Sequence, residues 1–322
     1  MLALVFDGAC RLRADWPEPK PGPGEALVAV RLAGVCRTDL EIVKGYLGFR
    51  GVLGHEFVGT VLEGPPAWAG KRVVGEINAP CGRCDLCGRG LTTHCRNRTV
   101  LGIAGRDGVF AERVALPVAS LHAVPDAVPD RDAVFVEPLA AAFQVPRQVP
   151  FASGDEVVIF GDGRLAQLVA RVLCTLPVRI LLVGKHDGKL RLAERFVPVA
   201  RLDDWRPAAR ADIVVDCTGR PEGFELAMRA VRPRGTIVLK STFAAEGGMN
   251  LAPLVIHEVT VVGSRCGPFP EALAALERRT VQVADLVSAT YPLARAEEAM
   301  AAAADGRSVK VLIATPAAAA AP

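Results

Sequence analysis

Four cysteines, Cys81, Cys84, Cys87 and Cys95, fall between residues 81 and 95 with the spacing C-x2-C-x2-C-x7-C. Neighbours this close cannot all pair with one another as disulfides without strain, and the chain's total of nine cysteines is odd. Four thiolates can instead surround one zinc ion tetrahedrally, at roughly 2.3 Å. Gly82, Gly88 and Gly90 lend the turn freedom to aim successive sulfurs at one point. Such a centre keeps no open coordination position, so zinc here is structural, and its binding contributes on the order of 10 kcal/mol to local folding. An iron–sulfur cluster and four unligated thiols are the alternatives, and His94 beside Cys95 reads as a bystander. Thiolates at this density read as a metal site in a reducing, cytoplasmic compartment. Cys174, Cys217 and Cys266 read as core residues.

The remaining composition narrows the class. A chain of 322 residues suggests about two domains. Its 38 basic and 35 acidic side chains leave a net charge of +3. That is no excess positive field, so nucleic acid is not expected as a partner. No apolar run reaches the ~18–20 residues of a membrane helix. MLALVFDGAC lacks a basic region ahead of its apolar stretch and is not expected to be a secretory signal.

Residues 1–142 are rich in Gly, Pro and Val. LVFDG, EALVAVRLAG, FVGTVLEG, RVVGEI and FAERVAL read as strands closed by turns, giving a mostly β domain with the zinc lobe at about 78–97. PLAAAFQVPRQV reads as a helix that Pro146 interrupts or ends. Over 143–265 nearly all-apolar strands (EVVIF, RILLVG, DIVVDCTG, GTIVLKST, EVTVVGS) alternate with helical stretches. This is the pattern of a doubly wound parallel α/β domain. Residues 266–314 are expected to return to the first domain, and the tail 315–322 to be disordered.

Gly161-Asp162-Gly163-Arg164-Leu165-Ala166 follows the strand VVIF and opens a helix, as the G-x-G-x-x-A dinucleotide fingerprint requires. Glycines there admit the pyrophosphate to the backbone, and helix N–H groups face its charge. The second strand ends in Gly184-Lys185-His186 with no acid at its end. Gly184 makes room and Lys185 can pair with a 2′-phosphate, which favours NADP over NAD; a solvated helix start is the plainer alternative, and Asp187 pulls toward NAD. Thr218 in Asp216–Gly219, Lys240–Thr242, and Ser264 in Val261–Arg265 end later strands, where the ligand crevice of such a sheet lies.

Cys36-x-Thr38-Asp39, Gly54-His55-Glu56-x-x-Gly59, the cysteine lobe, Glu137-Pro138-Leu139 and the glycine turn occur in this order across nearly the whole chain. In this the sequence resembles the zinc-containing medium-chain alcohol dehydrogenases, most of all their polyol, sorbitol and threonine dehydrogenase branch. The resemblance implies a GroES-like catalytic domain joined to a Rossmann domain. It implies two zinc ions per chain, with Cys36 and His55 binding the catalytic one, and Glu56 as ligand or near-ligand. Glu137 matches the third ligand position, where it binds the metal or holds its water; a salt-bridged surface acid is the alternative. Thr38 matches the family's proton-relay hydroxyl, but Glu41 stands where many members continue the relay with His. Pro65-Pro66 mark a second departure, a re-routed loop after Gly59.

The implied activity is hydride transfer between a secondary alcohol or polyol and NAD(P). Tyr46, Phe49 and Trp68 are candidates for lining the substrate pocket or for core. The competing readings are a zinc-free enone or quinone reductase on the same scaffold and a non-catalytic NADPH-binding redox sensor. The apolar edge EVTVVGS needs covering, which predicts a homodimer or homotetramer.

Overall fold

The computed structural model describes residues 1–208, 210–241 and 250–319. The chain divides into two compact units: Met1–Glu137, Phe269–Arg279 and Val283–Pro322 form one, Pro138–Pro268 and Thr280–Gln282 the other. The division falls at Glu137, inside the helix Val136–Gln148, rather than at residue 142.

The first unit is built on the strand Glu25–Gly34, ten residues whose burial on both faces suits a central position. It pairs antiparallel with Glu56–Glu63, with Arg113–Pro117 and with the returning strand Lys310–Ala314. Register places Gly34 opposite both Glu56 and Leu312. Two segments far apart in the chain, around Glu56 and Leu312, are thereby brought to the end of one strand. Phe57, Phe110, Leu53, Ile42 and Leu116 pack beneath as its core. A separate three-stranded sheet of Asn78–Ala79, Thr99–Leu101 and Gly105–Arg106 brackets the cysteine lobe.

The second unit is a six-stranded sheet in the order Val199–Arg201, Arg179–Gly184, Glu156–Phe160, Ala211–Asp216, Val231–Leu239, Thr260–Gly263. Every pairing is parallel. In sequence order this is 3-2-1-4-5-6, so the direction of winding reverses beside the first strand, where a dinucleotide crevice forms. The helix Arg164–Leu173 follows that strand and is buried from Ala166 onward.

Two expectations need correction. Pro146 neither breaks nor ends its helix, which runs on to Gln148. Pro cannot donate to the carbonyl of Ala142, but burial of Val145 and Val149 around it outweighs one missing bond. Nor is the whole of 315–322 a loose tail. Thr315 is 4% exposed, its N–H donates to Arg31 O at 3.1 Å, its hydroxyl donates to Val30 O, and Pro316–Ala319 is a short helix. Residues 320–322, and Thr242 in the Lys240–Thr242 segment, lie outside the described residues. Among the described residues no helix is long and apolar enough to cross a membrane.

Candidate metal and cofactor sites

The sulfurs of Cys81, Cys84, Cys87 and Cys95 all lie within 4.8 Å of one another. Cys84 Sγ is 3.5 Å from Cys87 Sγ and 3.7 Å from Cys95 Sγ. Four sulfurs placed tetrahedrally about zinc would stand about 3.8 Å apart, so the lobe fits that ion. Cys84 caps the short helix Asp85–Gly88, which turns Cys87 back toward it. The Cys81 N–H points at Cys95 Sγ, 3.3 Å away. None of the nine cysteines is in a disulfide.

A second cluster gathers Cys36, His55 and Glu56, again with ligand atoms within 4.8 Å of one another. Cys36 is the N-cap of the helix Arg37–Val43. Gly54, at φ +94°, turns the chain just ahead of His55 and the strand Glu56–Glu63; a side chain at Gly54 would run into the Phe110 ring. Asp39, fully buried, ties the two ligands together: Oδ2 accepts the Cys36 N–H at 2.7 Å and Oδ1 lies 3.2 Å from His55 Nδ1. With Nδ1 turned to a carboxylate, Nε2 is the nitrogen left for a metal. Burial disfavours charge on His55, yet the Asp39 carboxylate and the Cys36 sulfur outweigh it and hold the imidazole well above its ordinary pKa. A pocket that pulls a proton onto a buried imidazole is one that attracts a cation, and thiolate, imidazole and carboxylate are zinc's donors. The residues present fit that ion.

Glu56 has a further partner. Lys310, in the returning strand, forms an ion pair with its carboxylate, and both side chains are fully buried. The ammonium also sits over the Phe135 ring, 5.6 Å from its centroid. Burial pushes Lys310 down to about 8, against the pull of Cys36 and Asp39.

The other expected residues fall as follows. Thr38 Oγ1 lies 3.7 Å from Cys36 Sγ. Glu137 is half-buried in the first turn of its helix and is not among the three residues whose ligand atoms gather. Glu41 is held by Arg37 at 2.7 Å and Lys44 at 3.2 Å on the surface of its helix, which takes it out of any relay.

In the nucleotide unit Gly161 has φ +112°, and a Cβ there would approach Cys217 O at 3.0 Å. Gly163 caps the helix Arg164–Leu173, with open space where its side chain would be. Arg164 and Leu165 are that helix's first residues. This is a phosphate cradle of the expected form. Gly184 ends the second strand, followed by exposed Lys185 and His186. Thr218 donates its hydroxyl to Asp216 Oδ1 at 2.7 Å, and Ser264 lies 3.1 Å from Lys240 Nζ.

Comparison with known proteins agrees. Residues 22–126 match the alcohol dehydrogenase GroES-like domain and residues 183–280 the zinc-binding dehydrogenase model. An L-threonine 3-dehydrogenase of Streptomyces avermitilis is 32% identical, over 93% of this chain and 94% of that protein. The chain belongs to the zinc-containing medium-chain alcohol dehydrogenases. A sorbitol dehydrogenase of Halalkalibacterium halodurans is 29% identical over 92% of this dehydrogenase and 93% of its own length. The solved structure of a zinc-binding dehydrogenase from Sinorhizobium meliloti 1021, bound to NADP, superposes with a TM-score of 0.88 at 26% identity, covering 97% of this chain and 98% of that one.

Three residues of this dehydrogenase escaped the sequence reading as site residues. Asp39 stood inside a quoted motif without a role. Lys310 was visible as the one charge in VKVLIA, an apolar run that forms a buried strand. Asp162 was visible as an acid between two fingerprint glycines, where phosphate is to be bound.

Proposed function

We propose that this enzyme oxidises a secondary alcohol whose neighbouring carbon carries a second polar group, a 1,2-diol or a 1,2-amino alcohol, and reduces the matching ketone, with NADP preferred over NAD. The observation that carries the reading is the convergence of Cys36, His55 and Glu56, buried, within 4.8 Å. It disfavours a zinc-free reductase, which has no use for a thiolate, an imidazole and a carboxylate at one point. Sorbitol and threonine, in the names of the relatives, both place a heteroatom beside the reacting hydroxyl.

Cys36 and His55 would hold a catalytic zinc, and Asp39 would keep the imidazole in the tautomer that does so. The chemistry bound zinc supplies is Lewis acidity toward a hydroxyl oxygen, the effect that lowers the pKa of water from ~15.7 to about 7. Thr38 accepts the proton that leaves the substrate hydroxyl and passes its own hydroxyl proton on to solvent. Glu56, paired with Lys310, would be the near-ligand, and Glu137 would hold a water or complete the ligand set. Gly161 and Gly163 admit the pyrophosphate, Lys185 and His186 meet the adenosine ribose, and Thr218 and Ser264 line the far end of the crevice. The protein works in a reducing cytoplasm as a homodimer or homotetramer. The exposed apolar residues Val255, Ile256 and Val261, beside the edge strand Thr260–Gly263, support association there.

Initial rates over polyols, sugars and amino alcohols, each with NAD and NADP, test the reading. Turnover of vicinal diols or amino alcohols that requires zinc supports it. Nucleotide binding without turnover across the panel sinks it. A monomer in solution removes the oligomer from it.

A further inference from the structure

Dinucleotide folds of this kind place an acid at the end of the second strand when they read the free ribose diol of NAD. Here that position is Gly184, and the reason lies in the glycine turn. A Cβ at Gly184 would come within 2.6 Å of Asp162 Cβ, 2.7 Å of its Oδ2 and 2.9 Å of Leu190 Cδ2. Asp162 therefore occupies the volume that a strand-end side chain would need. It is 6% exposed. Its Oδ2 accepts the N–H of Lys185 and the N–H of His186, both at 2.7 Å. The His186 ring nitrogen Nδ1 lies 2.9 Å from Oδ2 and 3.0 Å from Oδ1.

We propose that Asp162 is a positioning residue for the 2′-phosphate of NADP, acting through His186 and Lys185. This rests on the NADP reading above. A carboxylate that already receives two amides and an imidazole from its own chain, and is almost wholly buried, has little left to offer a ribose diol. What the arrangement presents outward is the Lys185 ammonium and the far edge of the His186 ring. Nδ1 faces the carboxylate, so Nε2 is the ring nitrogen left to meet a ligand. Lys185 is exposed beside it, its backbone fixed by the same carboxylate. Arg201, paired in register with Gly184 on the next strand, is held by Asp187 at 2.5 Å and Asp203 at 3.3 Å. With Arg201 already shared between two acids, Lys185 and His186 are the groups left to meet a 2′-phosphate.

The rival account makes Asp162 a charge that repels the 2′-phosphate, and the two predict opposite signs. Calorimetric titration of the zinc-replete enzyme with 2′,5′-ADP and with 5′-AMP separates them without turnover. Wild type is expected to bind 2′,5′-ADP more tightly. Asp162→Ala and the isosteric Asp162→Asn should each cut that advantage about tenfold, the scale of one charge-assisted hydrogen bond, with a far smaller change for 5′-AMP. His186→Ala should cut it similarly, and Asp162→Asn combined with His186→Ala should lose no more than the larger single change, because one residue acts through the other. Equal weakening of both ligands, tighter 2′,5′-ADP in the Asp162 variants, or additive losses in the double variant each overturn the proposal. A wild-type enzyme that prefers 5′-AMP overturns the NADP reading instead, whatever the variants do. Where Asp162→Ala fails to fold, Asp162→Asn and His186→Ala decide the matter.

Discussion

The two candidate metal centres of the first unit solve one chemical problem in opposite ways. The lobe takes its four ligands from residues 81–95, and only Cys95 among them is fully buried. Backbone turns alone bring the sulfurs together. The other centre takes Cys36 from a helix cap and His55 and Glu56 from a strand start, with His55 and Glu56 buried, and it depends on neighbours: Asp39 orients two ligands, and Lys310 balances a third. A closed site can be specified by spacing. A site that must keep a coordination position for substrate has one protein ligand fewer to hold it, and the fold supplies the missing rigidity from outside the ligand set.

If that contrast is right, the largest effect comes from the lobe, where metal and local structure are the same thing. Cys84→Ser should remove one zinc of the two expected per chain and with it metal-linked folding on the order of 10 kcal/mol. Limited proteolysis should then cut between residues 78 and 106 while the buried centre keeps its ion. Loss of both ions by elemental analysis would break the distinction.

The converse substitution is His55→Ala. It should lower kcat/KM roughly a thousandfold, in line with several kcal/mol of Lewis-acid assistance. The lobe should keep its zinc, and the circular dichroism of the protein should not change. Activity within tenfold of wild type would mean that the reaction does not pass through this cluster.

Lys310 sharpens the comparison, since the ion pair beside the lobe's cysteines, Asp85 with Arg96, is exposed rather than buried. Lys310→Ala leaves the Glu56 carboxylate buried without its counter-charge, and urea unfolding should show a loss of roughly 3 kcal/mol. Combining Lys310→Met with Glu56→Gln removes both charges and should recover most of that loss. A Lys310→Ala variant as stable as wild type would show that the pair contributes nothing.

The same contrast explains what could be read from the sequence. The lobe was legible in full, because its ligands are neighbours in the chain. The strand–turn–helix around Gly161 was legible for the same reason, and the alternation of apolar strands with helices marked the doubly wound unit. Cys36 and His55 were found only because each sits in a recognisable motif. Lys310 was not found, because its role depends on a register that brings Gly34 beside both Glu56 and Leu312, which are far apart in the chain. Asp162 was missed because its partners lie 23 and 24 residues away, across a strand pairing. Pro146 and the helix after Thr315 were misread for one reason: local propensity speaks against helix there, and burial overrides it.

Asp39→Asn tests the supporting role most finely. One amide oxygen can still accept the Cys36 N–H, so the helix cap survives. The amide nitrogen then faces His55 Nδ1, which must become an acceptor, and the ring proton moves to Nε2, the nitrogen needed for zinc. Chelator competition should show zinc held about 10–100-fold more weakly at this centre, with the lobe's affinity unchanged, since its sulfurs answer to backbone N–H groups and to no such carboxylate. Equal weakening at both centres would mean that the substitution acts on the fold as a whole, and the division between a centre built by spacing and one built by its neighbours would fail.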